Sequence, residues 1–88
     1  MDDEGLRREE VNRGQQAKRV IDDPLWAESW EYLESRLMTE WRVSKPDQQA
    51  KREHIYLVLE AGRGARKYIE QVLKTGELAE RQLKEMSK

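Results

Sequence analysis

Apolar residues recur at helical spacing in the first half of the chain. The series between the two prolines is Trp26, Trp30, Leu33, Leu37 and Trp41, at steps of four, three, four and four. Because such steps return to one face of a 3.6-residue helix, they predict a helix over about 24–42. Asp23 before Pro24 is typical of a helix start, since aspartate can cap free backbone N–H groups and proline loses no hydrogen bond there.

A second apolar series predicts a longer helix over about 47–75. Its members are Ile55, Val58, Gly62, Ala65, Ile69 and Val72, which alternate steps of three and four. The connection at 43–46 is short, so the two helices should fold into an antiparallel hairpin. Gly76 has the position of a glycine that closes a helix with a positive φ, and a short C-terminal helix would then cover about 77–86.

The hairpin should bring large and small residues together. Folding at the connection places Leu37 near Ile55 and Trp30 near Gly62. The indoles would then meet residues 61–65, where the second helix has little side-chain volume. Filling small positions with large side chains gives a short helix pair the density of a protein core.

The N-terminal residues mix charges of both signs with few apolar positions. This pattern is typical of a solvated segment, so we expect residues 1–21 to be a charged arm, partly helical at best, that could be flexible and order on a partner. The predicted fold class is therefore all-α. One helical-hairpin domain covers residues 22–88, including the short C-terminal helix, and the arm precedes it.

Length and composition narrow the classes of function. The chain has 88 residues, of which 40% are charged and 36% hydrophobic, and it contains no cysteine. This length fits one small domain. The absence of cysteine excludes disulfides and thiolate metal sites. No apolar run approaches the roughly 20 residues of a bilayer span, so we expect no membrane association.

The hairpin leaves one apolar stripe without a partner. A candidate partner interface combines this stripe of the second helix with two leucines of the predicted C-terminal helix: Leu57, Ala61, Gly64, Tyr68, Leu78 and Leu83. A helix that is apolar on two sides needs two partners, and a domain of this size is marginal without further burial. We therefore expect a homo-oligomer and a protein partner that binds through these residues.

The near-zero net charge conceals a difference between the two helices. The chain carries 17 basic and 18 acidic side chains, but residues 44–75 hold seven bases against four acids, and residues 23–43 hold five acids against two bases. Four bases of the second helix could form a strip that contacts nucleic-acid phosphates: Arg63, Arg66, Lys67 and Lys74. The same side chains could instead only pair with the acidic helix.

The sequence contains no recognisable catalytic constellation. His54 is the only histidine and has no cysteine or second histidine to complete a metal site. The serines lie in no nucleophile motif, and the glycine-containing stretch 62–67 does not have the spacing of a phosphate-binding loop. We expect no enzymatic activity, no catalytic or metal-binding residues, no cofactor and no small-molecule substrate.

Four stretches carry a resemblance to a known group of proteins. They are Arg-Gly-Gln-Gln-Ala at 13–17, Asp-Asp-Pro-Leu-Trp at 22–26, Trp-Arg at 41–42, and Lys-Thr-Gly-Glu-Leu-Ala-Glu-Arg-Gln-Leu at 74–83. In these the chain resembles small helical proteins that tailed bacteriophages and prophages encode among head-morphogenesis and DNA-packaging genes. The resemblance implies a product in the cytoplasm of an infected bacterium or in the virion. It brings no functional residues with it.

Two functions follow as hypotheses. The first is a non-enzymatic protein interaction or assembly module, such as a phage accessory protein that acts in particle assembly or on a host factor. The second is a nucleic-acid-binding packaging or regulatory subunit that uses the basic strip.

Overall fold

The computed structural model describes residues 3–87 and contains three helices in that range. Helix α1 spans Asp3–Ile21, α2 spans Pro24–Val43 and α3 spans Gln49–Met86. The described residues form no strand. The predicted all-α class is therefore confirmed, whereas the division of the chain into helices differs from the prediction at both ends.

Helix α2 lies where the sequence predicts it. The Asp23 carboxylate Oδ1 accepts a hydrogen bond from the Leu25 backbone N–H at 2.8 Å, and Pro24 occupies the first turn. At the other end, the Ser44 N–H donates to the carbonyl oxygens of Glu40 and Trp41, both at 3.1 Å. Both ends thus have caps that satisfy backbone groups left open by the helix.

Helix α3 is a single helix of 38 residues, which corrects the prediction that a helix ends at Gly76 and a separate one follows. No glycine among the described residues has a positive φ, so Gly76 does not end a helix in the left-handed conformation predicted for it. Its lack of a side chain serves a packing contact instead. The start of α3 is also later than predicted, at Gln49, because Pro46 and Asp47 form a turn before it.

Helix α1 covers nearly all of the predicted N-terminal arm. The expectation that this segment is partly helical at best is wrong, since Asp3–Ile21 is helical throughout. Its acidic first turn and basic last turn match the helix dipole. Gly14 and Ala17 are buried, so α1 packs on the rest of the protein along one side.

The seam between α1 and α3 is held at a glycine-to-glycine contact. A Cβ atom built on Gly76 would lie 2.8 Å from the Gly14 Cα and 2.9 Å from the Glu10 carbonyl oxygen, closer than such atoms ever approach. The Arg7 Nε–H donates to Gln82 Oε1 at 2.8 Å on one side of this contact. Since higher numbers in α1 meet lower numbers in α3, the two helices run antiparallel.

The contact between α2 and α3 has a different character, because an indole fills the gap. A Cβ built on Gly62 would lie 3.1 Å from two ring atoms of Trp30 and 3.5 Å from Leu33 Cδ2. The predicted contact of Trp30 with Gly62 is therefore present. Trp26 packs edge-on against Trp30, with ring centroids 5.7 Å apart, an arrangement that aromatic quadrupoles favour.

Arg52 joins the two ends of the α2–α3 connection. Its guanidinium carbon lies 4.3 Å from the ring centroid of Trp41. Its Nε–H donates at 2.8 Å to the hydroxyl of Ser44, which itself donates to the Trp41 carbonyl at 2.6 Å. Cation–π and hydrogen-bond contacts thus hold the first turn of α3 against the last turn of α2.

The molecule is elongated and thin. Its extents are 62 × 26 × 16 Å, so α3 runs the whole length and the other two helices lie along it. Only four apolar side chains are buried among the described residues: Ala17, Leu37, Ile55 and Ala79. A core this small leaves much of the apolar surface in contact with solvent.

Candidate functional site

The outer face of α3 carries the first four residues of the predicted partner interface. We use this name for the face formed by Leu57, Ala61, Gly64 and Tyr68, which follow one another at steps of four, three and four. All four are exposed, with relative accessibilities of 57% for Leu57 and 61% for Tyr68. No atom of another element lies within 4 Å of a Cβ built on Gly64, so this part of α3 is open.

The two remaining members of the predicted interface, Leu78 and Leu83, differ in their exposure. Both belong to α3 itself, because the predicted short helix is its continuation. Leu78 is 51% exposed and lies beside Lys74. Leu83 is half-buried and follows Gly76 by seven residues, which puts it on the side of α3 that packs on α1. Whether the six residues bind a partner stays a prediction.

An apolar groove borders the outer face where α1 meets α3. It is shallow and open to solvent, has a volume of about 170 Å³, and is lined by Arg13, Gln16, Ala17, Val20, Tyr68, Ile69 and Val72. The Arg13 Nη2–H donates to the Tyr68 hydroxyl at 3.0 Å, a contact that raises the pKa of Arg13. Val20 is 40% exposed at the mouth. Sequence reasoning missed this groove, because it treated residues 1–21 as an arm.

The four bases of the predicted strip divide into two pairs. Arg66 reaches Glu34 of α2 at 3.8 Å and Glu70 at 3.4 Å, with its guanidinium 5.6 Å from the Trp30 ring centroid. Arg63 lies 3.3 Å from Glu60. These two arginines are thus engaged in contacts within the chain.

The two lysines of the strip, by contrast, have no ion-pair partner in the described part of the chain. Lys67 and Lys74 are exposed on α3, beside the outer face. Within residues 3–87 the two arginines therefore pair with acids of the same chain, whereas the two lysines have no such pairing.

Three exposed apolar side chains of α2 lie away from this face. Leu25, Tyr32 and Val43 are exposed on the side of α2 that points away from α3. Their intervals of seven and eleven residues place them on one side of α2, but the polar residues Ser29, Arg36 and Thr39 lie between them there, so they form no continuous apolar stripe. Their helical phase, opposite to the tryptophans, was visible in the sequence.

No cluster of metal-ligating side chains is found in residues 3–87. His54 is exposed on α3, and no group of three histidine, cysteine, aspartate or glutamate side chains in this range could hold a metal ion. None of the helices in the described range has an apolar stretch long enough to span a bilayer.

Comparisons with known proteins returned no match to a family model, a curated protein or a solved structure.

Proposed function

We propose that this chain is a non-enzymatic protein interaction module that binds its partner through the outer face of α3. The observation that supports this most directly is the placement of two large apolar side chains, Leu57 and Tyr68, in solvent on one face of a well-formed helix. Small residues separate them, so a partner helix can approach closely between the two anchors.

The small core supports the same proposal, because a bound partner would add to the stability of the fold. Few apolar side chains are buried in residues 3–87, and a domain with such a core gains stability when a partner covers more apolar surface. A fully buried leucine contributes about 1.5–3 kcal/mol relative to an exposed one, so covering Leu57 alone is a substantial gain.

The biological setting is part of the proposal. From the resemblance in residues 13–17, 22–26, 41–42 and 74–83, we propose a phage accessory protein that acts in particle assembly or on a host factor, in the infected cell or in the virion. The elongated shape supports an adaptor that presents one long face to another protein.

The proposal can be tested with a matched pair of variants. Leu57→Glu/Tyr68→Glu places two charges on the outer face, and Leu25→Glu/Tyr32→Glu places two on the exposed side of α2. Each chain would be immobilised and exposed to lysate of phage-infected bacteria, and every retained protein would be purified and its affinity for each chain measured.

We expect a purified partner, or the chain itself, to bind the unaltered chain and the α2 variant with equal affinity. Binding to the outer-face variant should fall at least about 100-fold, since two anchor residues are lost. Equal affinity for all three chains, with their helix content unchanged by circular dichroism, would contradict the proposal.

Nucleic-acid binding is the second candidate, and the unpaired state of Lys67 and Lys74 favours it. Lys67→Glu/Lys74→Glu should then abolish binding to duplex DNA at low salt. The affinity of the unaltered chain should fall steeply as salt rises, because phosphate contacts release counterions. No binding of the unaltered chain at about 50 mM salt would remove this candidate.

A further inference from the structure

One edge of the outer face carries an ordered series of charges. Glu53, Glu60, Lys67 and Lys74 follow one another at intervals of seven residues, so they lie along one side of α3 next to Leu57 and Tyr68. Both acids are in the first half of the series and both bases in the second. Within residues 3–87, Glu60 alone of the four is in an ion pair, with the neighbouring Arg63.

We propose that the outer face of α3 binds a second copy of this chain, with the two α3 helices antiparallel. This inference rests on the proposed function and names the partner. In an antiparallel pair, the numbers of residues at equal height add to a constant. Setting Leu57 beside the partner's Tyr68 gives a sum of 125, which also sets Ala61 beside the partner's Gly64.

The same register turns the charged edge into four ion pairs. Glu53 meets the partner's Lys74, and Glu60 meets the partner's Lys67; in each pair the two residue numbers add to 127. This differs from 125 by two residues, or about 3 Å along the axis, which long side chains bridge. By the two-fold symmetry each pair occurs twice. Charges that flank an apolar helix seam select the orientation of the partner in this way.

The groove beside Tyr68 supports this register on the opposite edge. The antiparallel pairing brings the partner's Leu57 to Tyr68, where the groove of about 170 Å³ between α1 and α3 opens. In this register the partner's Leu57 packs on the shallow apolar lining of the groove and covers Val20. The dimer seam thereby continues the existing α1–α3 seam along the same helix.

A parallel pairing offers no comparable set of contacts. In a parallel pair the two-fold axis runs along the helices, so the charged edges of the two copies lie on opposite sides of the apolar seam. Glu53 and Glu60 then cannot reach the partner's lysines, and none of the four ion pairs forms. The division of the series into two acids followed by two bases therefore favours the antiparallel dimer.

Charge exchange tests the pairing directly. Glu53→Lys/Glu60→Lys makes the edge wholly basic, and Lys67→Glu/Lys74→Glu makes it wholly acidic. By sedimentation equilibrium, each variant alone should dimerise about tenfold or more weakly than the unaltered chain, because four attractions become repulsions. An equimolar mixture should form heterodimers at least as tight as the original dimer, and the quadruple variant, which exchanges both sets, should dimerise normally.

The control for this experiment changes the same amount of charge elsewhere. Glu28→Lys/Glu31→Lys alters two exposed acids of α2, away from the outer face. Its dimerisation should match that of the unaltered chain. A loss equal to that of Glu53→Lys/Glu60→Lys would mean that net charge, and not the edge, governs association, and would overturn the proposal.

Cysteine cross-linking tests the orientation independently of the charges. The chain has no cysteine. His54 and Gln71 are both exposed, and their residue numbers add to 125, so the register places each beside the other residue of the partner. His54→Cys/Gln71→Cys should form covalent dimers on mild oxidation. Neither single variant should, because copies of one position lie about 25 Å apart in the antiparallel pair. Cross-linking of the single variants would indicate a parallel pair and overturn the register.

The proposed dimer would be wrong if the unaltered chain sediments as a monomer at a concentration of about 100 µM, where even a weak specific dimer would form. The proposed function would survive that result if a purified heterologous partner still lost its affinity for the Leu57→Glu/Tyr68→Glu variant. If neither self-association nor such a partner depended on the outer face, both proposals would be wrong.

Discussion

The two halves of α3 pack against their neighbours by opposite means. In the C-terminal half, Gly76 brings the α3 backbone against the backbone of α1 at Gly14. In the N-terminal half, the missing side chain of Gly62 leaves space on α3, and the Trp30 indole of α2 fills it. One residue type thus permits close approach of two helices in one place and makes room for a large side chain in another.

The difference determines how each contact responds to added volume. A backbone neighbour can move only if the whole helix moves, because its position is fixed by the hydrogen bonds of its own turn. A side-chain neighbour can change its rotamer. Added atoms at Gly76 should therefore be far less tolerated than added atoms at Gly62, and those at the open Gly64 should be tolerated without cost.

The largest effect is expected for Gly76→Leu. Its side chain cannot fit where a Cβ alone would lie 2.8 Å from the Gly14 Cα, so α1 must separate from α3. We expect a loss of about 3 kcal/mol or more in unfolding free energy, at the upper end for overpacked sites. Urea titration followed by circular dichroism measures this. Gly14→Leu should lower the unfolding free energy by a similar amount. Stability of either variant close to that of the unaltered chain would refute the backbone contact.

The next effect is expected for Gly62→Leu. The added side chain overlaps the Trp30 ring, which lies 3.1 Å from a Cβ at this position, and we expect a loss of about 2 kcal/mol. The double variant Gly62→Leu/Trp30→Ala transfers volume from α2 to α3. Its destabilisation should be smaller than the sum of the two single losses, because the leucine fills part of the space that the indole leaves. Additive losses would indicate that the two residues do not share one packing site.

A smaller effect is expected for Arg52→Ala at the α2–α3 connection. The substitution removes the contact with the Trp41 ring and the hydrogen bond to Ser44, and we expect a loss of about 1 kcal/mol. Hydrogen exchange should quicken at the end of α2 and the start of α3 and stay unchanged along α1. Arg52→Lys should recover part of the loss, since lysine keeps the charge but not the planar group. Equal quickening in α1 would contradict the local role.

The smallest effect, and the only stabilising one, is expected for Gly64→Ala. The added methyl group meets nothing within 4 Å, and alanine favours a helix interior over glycine by about 1 kcal/mol. Thermal unfolding at a concentration below that of self-association should show a gain of up to about this size. A loss of stability would show that a part of the chain covers this position in solution.

The sequence was sufficient to predict α2 and its contact with α3. The prolines and Asp23 mark the start of α2 through local chemistry, and the spacing of the tryptophans indicates the buried side. The contact of Trp30 with Gly62 followed from the short connection, which fixes the register of a hairpin. These features depend on neighbouring residues and on one turn, so they can be worked out locally.

The role of Gly76 could not be predicted in this way. A glycine after Lys74 and Thr75 fits the end of a helix as well as it fits a close helix contact, and only the presence of Gly14 on α1 decides between them. The charge mixture of residues 1–21 concealed the spacing of Gly14 and Ala17, the two buried residues of α1. Tertiary contact therefore overrode the local signal in both places.

The exposure of Leu57 and Tyr68 could be predicted from the sequence, whereas the contacts around them could not. The phase of Leu57 and Tyr68 relative to the hairpin seam was enough to place both in solvent. The contacts of Arg66 with Glu34 and Glu70 could not be deduced, because α2 acids and α3 acids were equally plausible partners. The groove beside Tyr68 required α1, which the sequence did not place.

The position of α1 at the start of the chain has a consequence for the order of folding. Trp30 and Gly62 are 32 residues apart, whereas Gly14 and Gly76 are 62 apart. Doubling a loop adds about 0.6 kcal/mol to the entropy cost of closing it, so the contact of α2 with α3 should form first and α1 should dock last. In a kinetic series, Gly62→Ala should alter the folding rate, and Gly76→Ala should act mainly on the unfolding rate.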